Sequence, residues 1–232
     1  MKQNVLITGC SRGIGLEFAR QYAEAGWRVL ATCRRPQRST ALMSLQERHG
    51  ADVQVHGLDV QSAEDILDLA QSLKEQPVDV LLNNAGVYGP EDQGLGSAEP
   101  EAWIEVLKVN TIAPLLMAQA FLPNLERSSR GIIATVTSLM GSIADNGSGG
   151  YYLYRSSKAA ANMVGRSLAV DLKGKKIISV VLNPGWVRTD MGGPQAPTGV
   201  EESVSGMRRV LDGLTMRESG GFFHFDGERL PW

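Results

Sequence analysis

The sequence has few of the residues that would steer it toward several common functions. Its 232 residues include two cysteines, Cys10 and Cys33. Neither belongs to a Cys-x-x-Cys pair or a Cys/His cluster, so a disulfide framework and a zinc site are not expected, and no metal is assigned. Sparing use of thiols fits a reduced, cytoplasmic setting. The three histidines, His49, His56 and His224, are scattered, and none is given a catalytic role. Net charge is −2, so no excess of one sign points to nucleic acid or an anionic membrane. No apolar run approaches the ~18–20 residues of a membrane span. Ile7-Thr8-Gly9-Cys10 loosely mimics a lipoprotein cleavage box, but only Val5, Leu6 and Ile7 precede it as an apolar core. A signal sequence needs about 7–15 such residues. A first strand from about residue 4 leaves no room for a removable leader. Internal repeats and low-complexity segments are also absent.

What remains is an ordinary globular composition, 43% hydrophobic. The length suits one α/β domain spanning 1–232, large enough to bury roughly 70% of its unfolded surface. Strand and helix patterns alternate. Short apolar, β-branched runs are expected to be strands at Val5–Ile7, Val29–Thr32, Val53–Val55, Val78–Leu82, Ile132–Val136 and Ile177–Leu182. Helical patterns fall between them, at about 14–25, 36–49, 63–74, 100–125 and 152–172. Pro114 inside the fourth of these lacks an N–H and is expected to kink it. Continuous apolar strands suit a parallel sheet covered on both faces. Repeated βα units with right-handed crossovers give a Rossmann-type, doubly wound sheet of about seven strands. The least regular stretches, 88–97, 144–150 and 192–200, are rich in Gly, Pro or Ser. Such loops cluster at the carboxyl ends of the strands, where ligands bind.

Directly after the first strand comes Thr8-Gly9-Cys10-Ser11-Arg12-Gly13-Ile14-Gly15. Gly9, Gly13 and Gly15 allow close passage of backbone to a pyrophosphate at the helix N-terminus. A lone glycine loop also serves as a plain tight turn. Asn83-Asn84-Ala85-Gly86 closes the fourth strand, with asparagines placed to brace strand ends and with Ala85 and Gly86 small enough to admit a flat adenosine. Asp59-Val60 follows the third strand. Asp59 either accepts from an adenine amino group or caps a turn. An NAD site usually has a carboxylate at the end of the second strand for the ribose 2′-OH. Here Thr32-Cys33-Arg34-Arg35 stands there. Arg34 and Arg12 suit a 2′-phosphate, so NADPH is favoured over NAD, the alternative being merely solvated surface charges.

Tyr154 and Lys158 lie four residues apart, on one face of a helix. Together with Thr8–Gly15, Asn83–Gly86, Asn110, Ser138 and Pro184-Gly185, in that order and approximate spacing, they resemble the short-chain dehydrogenases/reductases over essentially the whole chain. Within that family the chain is most similar to the sniffer-like carbonyl reductases and C-factor-like proteins. Met191-Gly192-Gly193-Pro194, the short segment after it and the run from Phe222 to Trp232 carry that finer likeness. The resemblance implies that Tyr154 is the general acid in reduction and the base in oxidation. It implies that Lys158 binds the nicotinamide ribose and lowers the tyrosine pKa. Ser138 would hydrogen-bond the substrate carbonyl, and Asn110 would hold a water linking Lys158 to solvent. Backbone near Pro184, Gly185 and Val187 would meet the nicotinamide amide, with Thr189 near the phosphates or the amide. Ser11, Arg12 and Ile14 join the glycines of the first turn as cofactor-binding residues.

Elementary electrostatics supports that division of roles. An ammonium roughly 5 Å from the phenol, at an effective dielectric of about 20, is worth ~3 kcal/mol. That is about two pKa units downward from about 10. Ser138 and Tyr154 are 16 residues apart where the family spacing is about 13, and the flexible run Ala144–Gly150 absorbs the difference. Tyr151 and Tyr152 lack a lysine four residues on; they either line the substrate mouth or pack. Cys10, beside a helix N-terminus, is expected to be a packing residue.

The expected function is NADPH-dependent reduction of an aldehyde or ketone. The short segment 192–200 suggests an open site and broad carbonyl specificity. The rivals are an NAD-dependent secondary-alcohol dehydrogenase and a C-factor-like cofactor-binding signalling protein. The expected partners are a small-molecule carbonyl or alcohol, with no nucleic acid and no membrane. A homodimer or homotetramer is expected through the helices near 100–125 and 152–172.

Overall fold

Seven short strands form one wholly parallel sheet in the computed structural model, which describes residues 2–232. In chain order they are β1 (Asn4–Ile7), β2 (Arg28–Cys33), β3 (Val53–Gly57), β4 (Val80–Asn83), β5 (Ile132–Val136), β6 (Ile178–Asn183) and β7 (Phe222–His224). Their spatial order is β3-β2-β1-β4-β5-β6-β7. The order reverses between β1 and β4, which opens a crevice at the carboxyl ends of those two strands.

The alternation of side chains along each strand builds two cores. Val5, Ile7, Val29 and Ala31 point to one face. There they meet Phe18 and Tyr22 of α1 (Gly13–Glu24), Leu42 of α2 (Thr40–His49) and Met207 of α8 (Val200–Gly213). Leu6, Leu30, Leu81 and Ile133 point to the other face. They meet Ile66 of α3 (Ala63–Ser72), Met117 of α5 (Ala113–Ala120) and Leu168 of α7 (Tyr152–Asp171). Short connections are built from local chemistry. At the start of α3 the Ser62 hydroxyl accepts from the Asp65 N–H and donates to its carboxylate, so one serine serves two groups.

The fold class and the six strands read from the sequence are present. Strand β7 and helix α8 were not placed by pattern. The second helical segment opens as a short 3₁₀ turn, Pro36–Arg38, before α2 begins at Thr40. The expected helix over 100–125 is interrupted. It consists of α4 (Pro100–Leu107), a π-helical turn (Lys108–Ile112), α5 and then α6 (Leu122–Glu126). Within the turn the Ala113 N–H reaches back five residues to the Lys108 carbonyl. Pro114 has no N–H to offer the Asn110 carbonyl four residues before it. The interruption therefore lies where a candidate site residue sits.

Candidate active site

The crevice between β1 and β4 widens into a cleft of about 530 Å³. Its floor is the β1–α1 turn. Gly9 has a φ of +73°, and a Cβ there would lie 2.9 Å from the Ala85 Cα. A Cβ on Gly15 would lie 2.3 Å from the Gly9 carbonyl oxygen and 2.5 Å from the Asn84 Nδ2. Asn84 is the brace: its Nδ2 donates to the carbonyls of Thr8 at 2.9 Å and Gly9 at 3.3 Å. The Thr8 hydroxyl accepts in turn from the N–H groups of Asn84 and Ala85, each at 3.0 Å. The glycine turn and the Asn84–Gly86 segment are thus one hydrogen-bonded unit, open toward the N-terminus of α1.

Ser11, Arg12, Gly13, Ile14 and Val60 border this cleft, as does Arg34, which follows β2 directly. Among the described residues no carboxylate lies within ion-pair distance of Arg34. Arg12 does have a partner, Asp190, at 2.9 Å, and both side chains are well exposed. Asp59 is not on the cleft wall: its carboxylate accepts from the Gln61 N–H at 3.1 Å, the turn role. On the far wall, Pro184 and Thr189 border the cleft, and the Thr189 Cγ2 lies 3.5 Å from where a Cβ on Gly13 would be. Gly185 (φ +79°) and Val187 do not border the cleft.

Tyr154 and Lys158 reach the inner end of the same cleft from the first two turns of α7. Lys158 Nζ lies 5.7 Å from the centre of the Tyr154 ring and donates to the Val136 carbonyl at 3.1 Å. Both side chains are buried. A Cβ on Gly86 would be 3.4 Å from both the Lys158 Nζ and the Asn110 Oδ1, so the glycine leaves the lysine its space. The Asn110 side chain is held at both ends: its Oδ1 accepts from the Val87 N–H at 2.9 Å, and its Nδ2 donates to the Val87 carbonyl and the Ser157 hydroxyl. The Asn110 backbone carbonyl, which Pro114 leaves without an N–H, is a further acceptor at this point. Ser138 caps the turn after β5, accepting from the Met140 N–H at 3.1 Å, and its hydroxyl also faces the Tyr154 phenol.

The electrostatics of the pair differ from the sequence expectation. Burial pushes the Tyr154 phenol up to about 12, with the Ser138 hydroxyl opposing it. Burial also brings Lys158 down to about 8. The spacing of the two residues predicts a tyrosine lowered by its lysine. In the protein alone, desolvation dominates and favours the neutral form of both. Cys10 is fully buried, and burial raises its thiol, in keeping with a packing role.

Several residues at the site carry no motif signal. The Asn183 Oδ1 accepts from the N–H groups of Leu139 and Gly185, tying the Ser138 turn to the Pro184-Gly185 turn. Arg188 Nη1 donates to the carbonyls of Ala196 and Pro197 and so pins the 192–200 segment. The buried Thr137 hydroxyl borders the cleft without a partner among the described residues. Gln93, in the loop after β4, contacts the first turn of α7. A polar residue ending an apolar strand was the available signal for Thr137 and Asn183. Among the described residues no group of three or more His, Cys, Asp or Glu is placed to hold a metal, and no helix is long and apolar enough to cross a membrane.

Comparison with known proteins gives the same picture. A family model described as short chain dehydrogenase matches residues 3–198. C-signal of Myxococcus xanthus is 47% identical over 67% of this chain and 93% of its own length. The structure of NADPH-bound carbonyl reductase from chicken fatty liver superposes with a TM-score of 0.93 at 36% identity, over 100% of this chain and 99% of that one. Carbonyl reductase Sniffer of D. melanogaster also gives 0.93, at 32% identity over the whole of both chains. The chain belongs to the short-chain dehydrogenase family, among relatives of the Sniffer and C-signal type.

Proposed function

We propose that this oxidoreductase reduces the carbonyl of an aldehyde or ketone with NADPH, and that Tyr154 supplies the proton. The observation that carries the reading is that Tyr154 and Lys158, both buried and with the Lys158 Nζ 5.7 Å from the Tyr154 ring, border one glycine-floored cleft. In the protein alone burial holds the proton on the phenol, and the positive charge of Lys158 and of an oxidised nicotinamide would bring it back toward the working range of an acid–base group.

The cleft fits the cofactor on its own features. Glycines occupy the positions where a Cβ would collide, the N-terminus of α1 opens onto the cleft, and Arg34 stands without an acidic partner among the described residues where NAD-binding relatives of this fold carry an acid. Arg34 would take the 2′-phosphate, and Lys158 the nicotinamide ribose. When bound, NADPH supplies the hydride to the carbonyl carbon. The Ser138 hydroxyl would hold the carbonyl oxygen, and the Tyr154 phenol would give it a proton, leaving an alcohol. Lys158, brought down to about 8, exchanges protons near neutrality and would restore that proton by way of the Asn110 carbonyl and solvent. The carbonyl reductases among its structural neighbours support this direction.

Exposed Ile104, Met163 and Val170 on α4 and α7 support pairing of two copies through these helices. The likeness to C-signal favours a second reading, a cofactor-binding signalling protein in which turnover is secondary. One experiment separates the two. Consumption of NADPH and NADH is followed over aldehydes, ketones and quinones, with Tyr154→Phe as control. The expected result is NADPH-dependent turnover over several carbonyl classes, reduced at least about 100-fold in the variant. Tight NADPH binding with no turnover on any class would replace the reductase reading by the signalling one.

A further inference from the structure

Helix α7 begins without any of the usual devices. Its N-cap, Tyr151, has no side chain able to accept from the first turn, and its φ of +51° is a left-handed value uncommon outside glycine. The first N–H groups of a helix have no partner within it and need one from outside. Here one residue far away in sequence meets two of them. The Gln93 backbone carbonyl accepts from the Tyr152 N–H at 3.1 Å. Its side-chain Oε1 accepts from the Tyr154 N–H at 2.9 Å.

The other end of the same amide is equally engaged. Gln93 Nε2 donates to the Tyr88 carbonyl at 2.9 Å and to the Pro90 carbonyl at 2.8 Å. This arrangement also fixes the orientation of the amide, because a flipped group would face two carbonyls with its oxygen and an N–H with its nitrogen. Gln93 is 2% exposed, so each of these bonds is made away from water, and each would be costly to leave unmade. The backbone it holds at Tyr88 carries a ring that packs on the Tyr154 ring, with centres 4.8 Å apart and planes tilted by 41°. Tyr154 is therefore held from two directions by one side chain: through its own N–H, and through the tilted ring packed on it.

We infer that Gln93 is a positioning residue for the reaction, setting the place of the Tyr154 phenol through the α7 N-terminus and through Tyr88. It touches no reacting atom. Its side chain bonds the Tyr154 N–H and the carbonyls of Tyr88 and Pro90, and none of its hydrogen bonds reaches the glycine turn, Arg34 or Lys158. The inference rests on Tyr154 being the proton donor. A misplacement of about 1 Å in a reacting group is enough for a rate loss of about 100-fold. Losing Gln93 should consequently lower kcat and leave cofactor affinity alone.

The test uses full-length protein, NADPH and 9,10-phenanthrenequinone as the probe carbonyl. Gln93→Met removes all the side-chain bonds at nearly constant volume. The expected result is a kcat per NADPH-binding site lower by about 10- to 100-fold, with NADPH Kd and the probe KM within about threefold of wild type. Tyr88→Ala should lower kcat by the second route, and the double variant should be no worse than Gln93→Met alone, because the two act on one group. A kcat per site within about twofold of wild type, or losses that multiply in the double variant, would overturn the inference. A purely structural role would reduce the number of NADPH sites and leave kcat per site unchanged, which also overturns it. Should Gln93→Met not fold, Gln93→Asn, one methylene shorter, carries the same expectation. If wild-type protein turns over no carbonyl, the reductase reading fails separately. Amide hydrogen exchange at Tyr152 and Tyr154 then decides about Gln93: faster exchange in the variant upholds its hold on α7, and unchanged exchange removes it.

Discussion

Replacing Lys158 by methionine should make the protein more stable at neutral pH while abolishing its activity. The Nζ is buried, and burial brings its pKa from the ordinary 10.5 down to about 8. The difference, 10.5 minus 8, is about 2.5 pH units at about 1.4 kcal/mol each, so below pH 8 the charged lysine costs the folded state about 3 kcal/mol. Methionine removes that cost but strands the Val136 carbonyl, which the lysine now serves at 3.1 Å; that loss is about 1–2 kcal/mol. The net expectation at pH 7 is a gain of about 1–2 kcal/mol, or about 3–6 °C in Tm for a domain of this size. Because the folded-state pKa is depressed, the unfolded chain binds more protons between pH 8 and 10.5. Wild-type stability should therefore rise with pH through that window. Methionine does not titrate, so its advantage should shrink as pH rises and reverse by pH 10. Tyr154, pushed up to about 12, lowers stability only above pH 10 and is present in both proteins. Urea unfolding of both proteins at pH 7, 8.5 and 10 measures all of this. A variant less stable than wild type at pH 7, or a difference that does not change with pH, would refute the burial argument.

Two further substitutions probe the cofactor end. Gly15→Ala places a Cβ 2.3 Å from the Gly9 carbonyl oxygen, against backbone that Asn84 holds in place; NADPH affinity should fall at least about tenfold in a fluorescence titration, with a loss of about 2 kcal/mol or more in urea unfolding. Asp190→Asn frees Arg12 from its ion pair and should tighten NADPH binding by about two- to fivefold at low salt, with the gain fading at high salt.

The features legible in the sequence are those governed by a local period or a short motif. Continuous apolar strands gave the parallel sheet, and a four-residue spacing gave Tyr154 and Lys158 one helical face. Three things were not legible, each for its own reason. The π-helical turn at Lys108–Ile112 widens a helix by one residue, which an apolar period averages over; Pro114 marked a kink but not the turn before it. The direction of the Tyr154 pKa depends on burial, a property of the folded neighbourhood, whereas the spacing reported only the nearby ammonium. Gln93 lies in an irregular loop 61 residues from the helix it caps, and no pattern within either segment connects them. For Asp59 the sequence left two roles open, and its side chain makes the hydrogen bond expected of the turn role.

The central strand has a consequence for the order of folding. Strand β1 is flanked by β2 and β4, both of which follow it in the chain, with Val5 beside Val80 in register. The Thr8 hydroxyl and the carbonyls of Thr8 and Gly9 find side-chain and backbone partners at Leu82, Asn84 and Ala85, at the end of β4. Closing so long a loop is slow, as for other parallel sheets. The glycine turn is thus written at the start of the chain but takes shape only after about a third of it has been made and β4 has docked. NADPH, recognising that turn, would bind late folding species and pass over early ones, and so would serve as a chemical signal that the centre of the sheet is complete.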